Sequence, residues 1–523
     1  MNAIIMAAGT SSRFAPLSYE KPKGLLNVKG EVLIERQIRQ LQEAGITDIT
    51  IVVGYKAELF HYLADKFGVN IVMNEDYNQY NNTSSIIRVI NKLKNTYICS
   101  SDNYFPKNVF MEKSLNSYYS ALYADGITNE YCITTDTQEN IISVKVGGQD
   151  SWYMVGHVFF NEEFSAKFRE IMIKEYSNEE TKKNYWEDVY IKHIDELPMM
   201  KIHRYQPHDI EEFDSLEELR LFDAKYINNT GSKIFKNICS VLQCEERDIV
   251  EINVLKKGMT NCSFAFTCKK DGKKYVYRHP GSGTEAFISR DSEYFSMQVA
   301  KKLDLDSTFV YMHPTEGWKL SVFIENARIL DYHNPKELEE AVQLLARLHK
   351  ANIQSEFPYR LWDQANDFLE KIQILGKENT ADFYQLHDKI ASLYELTNKD
   401  NWPECLNHCD ALAANFLIDS EDRMTLIDWE YSGQGDTAQD LGSFIACSDM
   451  NYEEAIFAIN SYLGHEPSTE ELRHFLAYTA IASYCWYLWA IYQEANGVDT
   501  GEFLELWHNY SYLYSDKAIA LYQ

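Results

Sequence analysis

Positive charge is scarce in this 523-residue sequence: 50 Lys and Arg stand against 78 Asp and Glu, a net charge of −28. A chain so balanced has no basic stripe to neutralise a phosphate backbone, which argues against nucleic acid as its main partner. It also lacks the cationic face that anionic membrane surfaces attract. Small phosphorylated ligands stay open, because a few local cations or a bound metal ion can hold them. A Cys-x-x-Cys pair is missing too. Ten cysteines, from Cys99 to Cys485, are scattered along the chain. That spread argues against a zinc site and fits a reducing compartment better than a disulfide framework. The opening residues MNAIIMAAGT have no basic leader segment, and their apolar run is too short for a signal peptide, so the chain reads as cytoplasmic. The longest uncharged stretch, Phe475 to Gln493, contains four Tyr spread along its length. It reads as a buried helix of a globular domain rather than a membrane span.

What is present is the mix of a globular protein, 45% hydrophobic and 24% charged, which excludes wholesale disorder, collagen and coiled coil. The length predicts two or three domains. Apolar strand-like runs at 2–8, 49–53, 69–73 and 96–100 alternate with helical periodicity at 33–44, 56–67 and 84–94. That alternation predicts an α/β domain with a doubly wound, mostly parallel sheet, whose ligands bind beyond the carboxyl ends of the strands. A turn-rich seam at 226–232 follows. Antiparallel strands are predicted at 250–256, 262–269, 274–278 and 319–324, with a turn at Asp271-Gly272, and the chain is mostly helical after 336. The expected domains are about 1–227 and 232–523.

The first candidate site is the loop Ala8-Gly9-Thr10-Ser11-Ser12-Arg13, which follows the first strand, together with Lys23. Backbone N–H groups of such a loop cradle a triphosphate, and Arg13 and Lys23 neutralise it. Taken alone, a Gly-containing loop is more often an ordinary turn. Here it is accompanied by Tyr80-Asn81-Asn82 with Ser85, by Ser101-Asp102-Asn103-Tyr104, by Thr128-Asn129-Glu130-Tyr131, by Tyr185-Trp186 and by Phe213-Asp214-Ser215. The set resembles the nucleotidyltransferases that make sugar- and alcohol-linked nucleoside diphosphates, and within them the phosphocholine cytidylyltransferase branch. Members commonly carry a second Gly where this chain has Ser11. The resemblance implies a Rossmann-like domain with CTP at the loop, Asn82 and Ser85 in nucleotide binding, and Asp102 and Asp214 sharing one Mg²⁺. It gives Lys23 and Arg13 the task of stabilising charge. The quaternary ammonium of phosphocholine would meet Tyr131, Tyr185 and Trp186, with Glu130, Glu187 and Asp188 available for charge. Adjacent residues on a helix diverge, so Tyr185 and Trp186 cannot both face one site.

The second candidate site is His408-Cys409-Asp410, Asn415 five residues later and Asp428 thirteen beyond that. The spacing matches the catalytic and metal loops of protein-kinase-like phosphotransferases. It predicts an α+β bilobal domain in which Asp410 accepts the proton of a hydroxyl, and Asn415 and Asp428 hold Mg²⁺ on ATP. Lys257-Gly258-Met259-Thr260 stands in place of a full Gly-rich loop. Arg278 stands where protein kinases carry the strand lysine, with Glu293 as its helix partner. These features, Asp428-Trp429-Glu430-Tyr431, Asp440-Leu441-Gly442 and Trp486-Tyr487-Leu488-Trp489 resemble the choline/ethanolamine kinase family. In that reading Tyr431, Trp486 and Trp489 enclose the trimethylammonium group of choline. Together the two resemblances imply that choline and ATP give phosphocholine, and that phosphocholine and CTP give CDP-choline. Three alternatives stay open: ethanolamine or an aminoalkylphosphonate as substrate, a sugar-phosphate nucleotidyltransferase joined to an antibiotic-type kinase, and one domain serving as an inactive ligand-sensing module.

Overall fold

The computed structural model describes residues 1–111, 114–255, 261–281, 289–377 and 382–523. The chain divides into two compact units, Met1–Val254 and Leu255–Gln523. In the first, one sheet contains β1 (Asn2–Ala7), β2 (Ile49–Val53), β3 (Asn70–Met73), β4 (Thr96–Ser100), β5 (Tyr118–Thr135), β6 (Ile141–Phe160) and β7 (Lys201–Arg204). Their spatial order is β7-β5-β6-β4-β1-β2-β3. β1 runs parallel to both neighbours, with Ile5 opposite Ile51 and Cys99. β3 continues the parallel arrangement beyond β2, whereas β6 is antiparallel to β4 and β5. The short apolar runs form these central strands because both sheet faces are covered. Alternate residues therefore feed two cores. Ile4, Val52 and Ile98 join Phe160 and Phe168 on one side. Ile5, Ile51 and Cys99 join Ile34, Ile38 and Leu41 of α1 (Leu33–Glu43) on the other. The doubly wound, mostly parallel sheet is thus present. The long β5–β6 ribbon has no counterpart in the sequence reading. Gly126 and Gly147, at φ 97° and 79°, break its strand alternation, as do several register shifts.

The first unit continues past the seam at 226–232. The N–H of Ile234, at the start of α4 (Lys233–Leu242), donates to Glu20 Oε1 at 2.9 Å. Arg220 donates to the carbonyls of Glu246 and Ile249 at 3.1 and 2.9 Å. These bonds hold the segment after the seam onto the first unit.

In the second unit, β8 (Asn261–Cys268), β9 (Lys273–Pro280), β10 (Phe309–Met312) and β11 (Lys319–Val322) are antiparallel in the order β8-β9-β11-β10. Gly272, at φ 71°, sits in the turn between β8 and β9. α5 (Arg290–Lys302) accompanies them. A helical lobe follows, with α6 (Pro335–Lys350), α7 (Ala438–Ala446), α8 (Thr469–Ala495) and α9 (Phe503–Tyr522) around four short strands. These are β12 (Glu404–Asn407), β13 (Phe416–Ile418), β14 (Met424–Leu426) and β15 (Gly433–Asp436). The uncharged run lies in α8, where every residue from 474 to 485 is buried. Surrounding helices supply its apolar environment. Among the described residues no helix is long and apolar enough to cross a membrane.

Candidate active sites

A cavity of about 610 Å³ opens at the carboxyl ends of β1 and β4. Ala8, Gly9, Thr10, Ser11, Ser12 and Arg13 line it, with Lys23, Asn82, Ser85, Asp102, Tyr185, Glu212 and Asp214. The loop turns because Ser11 adopts the left-handed conformation, φ 50° and ψ 40°, before a short 3-10 turn at Ser12–Phe14. A side chain there costs about 1 kcal/mol relative to glycine, which explains why Gly suits the position. Buried Phe14 anchors the turn, and Lys23 Nζ lies 5.5 Å from its ring. Lys23 is itself buried and reaches Asp102 Oδ2 at 3.0 Å. Gly24 allows this approach, since a Cβ there would stand 2.8 Å from Ser101 Oγ. Asn74 Nδ2 donates to Ser85 Oγ at 3.0 Å, fixing that hydroxyl at the cavity wall.

The opposite wall is acidic. Asp214 pairs with Arg13 at 3.1 Å, and both side chains are well exposed. Glu212, which the sequence reading passes over, lies among Asp102, Asp214 and Glu130. Burial and then the negative charge of Asp102 push its carboxyl up to about 7, against the pull of Lys23. The signal available in the sequence was period two: on extended chain, Glu212 and Asp214 point the same way. Asp102 Oδ1 is buried without a hydrogen-bond partner. Among the described residues no group of three or more His, Cys, Asp or Glu side chains is built to hold a metal. A pair of carboxylates completed by substrate phosphates is the arrangement that suits Mg²⁺, and Asp102, with its free oxygen, and Asp214 fit it.

The expected aromatic wall is only partly present. Tyr185 lines the cavity and is 47% exposed. Tyr131 is half-buried and donates from its hydroxyl to Asp188 Oδ1 at 2.8 Å. Trp186 corrects the expectation: it is 3% exposed and packs in the core against Tyr119, Phe160 and Phe168, with ring centroids at 6.0, 5.7 and 5.9 Å. It is the first residue of α3 (Trp186–Lys192), one step round the helix from Tyr185. Its backbone N–H donates to Asn82 Oδ1 at 2.7 Å, so its contribution to the cavity is through the main chain. Next to it, half-buried Glu187 accepts from Asn82 Nδ2 and the Tyr119 hydroxyl at 3.3 and 3.2 Å. Burial pushes its carboxyl up to about 7, opposed by hydrogen bonds from backbone, Asn82 and Tyr119.

In the second unit Arg278 lies on β9, 6% exposed. It pairs with Glu293 of α5 and reaches Glu430 at 3.2 Å and Asp428 at 3.9 Å. Arg290 and Lys319 also contact Glu293, at 3.0 and 3.6 Å. Burial pushes the Glu293 carboxyl up, but Arg278, Lys319 and Arg290 together hold it below its ordinary range. Arg290, Lys319 and Glu430 were not assigned from sequence. Glu293, Asp428 and Glu430 are the negative charges that keep the buried Arg278 charged, while Arg290 and Lys319 share Glu293 with it. Arg278 Nε is buried without a partner.

Asp440 of α7 holds the catalytic-loop candidate by accepting from the backbone N–H of His408 and Cys409, each at 2.7 Å. His349 of α6 contacts the same carboxylate at 3.1 Å. His408 Nε2 contacts the Ile427 carbonyl at 3.0 Å, so this ring orders the loop. Asn415 Nδ2 donates to Asp410 Oδ2 at 3.0 Å and to the Asp410 carbonyl at 2.8 Å. Burial, then the nearby Asp428 carboxylate, push the Asp410 carboxyl up to about 7. Tyr431 is half-buried beside these acids, and burial followed by Glu430, Asp410 and Asp428 raise its phenol to about 12. Trp486 and Trp489 of α8 meet edge to face at 5.9 Å, and both rings stand about 6 Å from Trp507 of α9 (6.0 and 6.1 Å). Trp507 was not anticipated. The pair therefore belongs to a three-tryptophan cluster. Residues 257–260 of the expected Gly-containing loop lie outside the described residues.

Comparison with known proteins follows the same division. The sequence model of the MobA-like NTP transferase domain matches residues 3–122. The choline-phosphate cytidylyltransferase of Streptococcus pneumoniae is 34% identical over 220 residues, 42% of this chain and 96% of that protein. The first unit belongs to the choline-phosphate cytidylyltransferase family. Within this cytidylyltransferase family resemblance, the 2-aminoethylphosphonate cytidylyltransferase of Lancefieldella rimae is 35% identical over 230 residues, 43% of this chain and 93% of its own. The choline/ethanolamine kinase family matches residues 252–481, and the second unit is a domain of that family. Protein LicA of Haemophilus influenzae is 28% identical over 247 residues, 44% of this chain and 90% of LicA. The chain therefore joins a cytidylyltransferase to a choline/ethanolamine-kinase-family domain.

Proposed function

We propose that the chain catalyses two consecutive reactions: the second unit phosphorylates choline with ATP, and the first unit transfers CMP from CTP to the resulting phosphocholine. The observation that carries the choline reading is Tyr431, a half-buried aromatic side chain whose hydroxyl lies in the field of Glu430, Asp410 and Asp428. A quaternary ammonium has no N–H to donate and is held by aromatic faces with anions nearby. Such a cation at Tyr431 brings the hydroxyl at the other end of the same small alcohol within reach of Asp410. The carboxylate of Asp410 takes that proton as the alcohol oxygen bonds to the γ-phosphorus and ADP leaves. Arg278, with its spare Nε, pairs with the ATP phosphates. Asn415 and Asp428 are the residues that would hold Mg²⁺, which supplies charge neutralisation on those phosphates.

In the first unit the nucleophile is the already ionised phosphate of phosphocholine, so no base is needed. Its oxygen bonds to the α-phosphorus of CTP and pyrophosphate leaves. Loop amides at 8–12 cradle the triphosphate, Asn82 and Ser85 line the nucleotide side, and Lys23 and Arg13 stabilise the charge that builds on the phosphates. Asp102 and Asp214 would hold Mg²⁺ there. Tyr131 and Tyr185 face the cation, with Glu187 behind Asn82.

Separate variants test the assignment. Asp410→Ala should lower choline phosphorylation by about 10²–10⁴-fold, the range for losing a general base, and leave CMP transfer to supplied phosphocholine intact. Asp102→Ala should do the reverse. Loss of both activities in either folded variant contradicts two independent sites. Comparing phosphocholine with 2-aminoethylphosphonate, and choline with ethanolamine, decides the substrate: a primary ammonium preferred in either step would replace the choline reading there.

A further inference from the structure

The end of α4 brings two thiols together. The helix closes at Leu242, Gln243 takes the left-handed conformation (φ 53°, ψ 40°), and the N–H of Cys244 returns to the carbonyl of Cys239 at 3.3 Å. This six-residue closure wraps the chain back over the last helical turn and sets its first and last side chains side by side, a contact usually made by two apolar groups. Here both are cysteines, half-buried, with sulfurs 4.0 Å apart. A disulfide is about 2.05 Å long, so each sulfur has roughly 1 Å to travel, with the backbone already closed beneath it.

We propose that Cys239 and Cys244 form an oxidation site, converted by a hydroperoxide into a disulfide that staples the end of α4. One sulfur attacks a peroxide oxygen; the O–O bond breaks, one water leaves, and a sulfenic acid forms. The second sulfur attacks the first, the S–O bond breaks, and the second water leaves with the remaining thiol proton. Two thiols are oxidised to one disulfide and hydrogen peroxide is reduced to two waters. The proximity follows from the helix-capping geometry and is independent of either active site.

Trypsin cleaves after Lys236 and Arg247, so both cysteines fall in one peptide, residues 237–247. The reduced full-length chain is exposed to hydrogen peroxide, quenched with N-ethylmaleimide, digested and weighed by mass spectrometry. The expected peptide is two hydrogens lighter than the dithiol and carries no maleimide. Reduction before labelling restores two maleimides, and Cys244→Ser abolishes the lighter species. Phenylarsine oxide, which bridges neighbouring thiols without redox chemistry, should add once to this peptide in the wild type and not in Cys244→Ser. A peptide that keeps both maleimides after peroxide, or that takes up no phenylarsine oxide, overturns the proposal.

Discussion

Asp410 and Glu187 are carboxyls displaced in the same direction by burial, each to about 7, in different surroundings. Asp410 stands among other acids in the loop held by Asp440, where a raised affinity for protons suits the proposed base. Glu187 is held by neutral donors, Asn82 and Tyr119, and its displacement is a stability term. Its folded value lies above the ordinary 4.5 of an unfolded glutamate. The unfolded chain therefore loses this proton first as pH rises, and stability falls between about 4.5 and 7, by at most about 3 kcal/mol at 1.36 kcal/mol per pH unit. Glu187→Gln removes that slope. The melting temperature of the variant relative to wild type should become more favourable on going from pH 5 to pH 8; a difference that is constant with pH contradicts the assignment. At this scale the sequence disclosed residue types and spacings, which brought forward Lys23, Asp102, Asp410, Asn415 and Asp428 as candidates; the structure sets Lys23 against Asp102 and Asn415 against Asp410. It did not disclose which way a residue at a helix start faces, so Trp186 was expected at a cation site and lies in the core. Nor did it single out Glu212, because one acid in the run Glu211-Glu212-Phe213-Asp214 differs from its neighbours only by the direction it points on folded chain.

The elements that position the kinase-family site meet where α7 crosses α8. A Cβ on Gly442 of α7 would stand 2.7 Å from the backbone carbonyl carbon and oxygen of Tyr478 in α8. Glycine lets the two helices touch. The same α7 carries Asp440, which holds the amides of His408 and Cys409, so displacing α7 displaces the loop that ends in Asp410. Gly442→Ala should cost about 1–3 kcal/mol, the range for forced overpacking, and lower the phosphorylation rate while CMP transfer is unchanged. Parallel kinetics for both reactions and a melting curve check this; an unaltered phosphorylation rate would show that the crossing does not set the loop. Element identity was legible where the apolar pattern is strong: β1, β2, β4 and α1 follow their hydrophobic runs, and the uncharged stretch of α8 is the buried helix it resembled. The β5–β6 ribbon was not legible, because glycines and register shifts erase the alternation that marks a strand, and its partners are fixed by the sheet rather than by local sequence.

At the scale of the whole molecule, the chain joins two enzyme families, and phosphocholine is the product expected of one and the substrate expected of the other. That pairing could be read from sequence because each family's phosphate chemistry requires a few charged residues at set intervals. The proposed cation sites were harder to read, since aromatic residues serve cores and cation sites alike: Trp486 and Trp489 pack with Trp507, while Tyr431 stands among carboxylates. The most direct test follows all phosphorus species at once. Phosphorus NMR of the purified chain with choline, ATP, CTP and Mg²⁺ should show phosphocholine appearing first, then giving way to the diester pair of CDP-choline as pyrophosphate accumulates. Phosphocholine that builds up while CTP remains untouched, or no phosphorylation of choline at all, would contradict the two-step account.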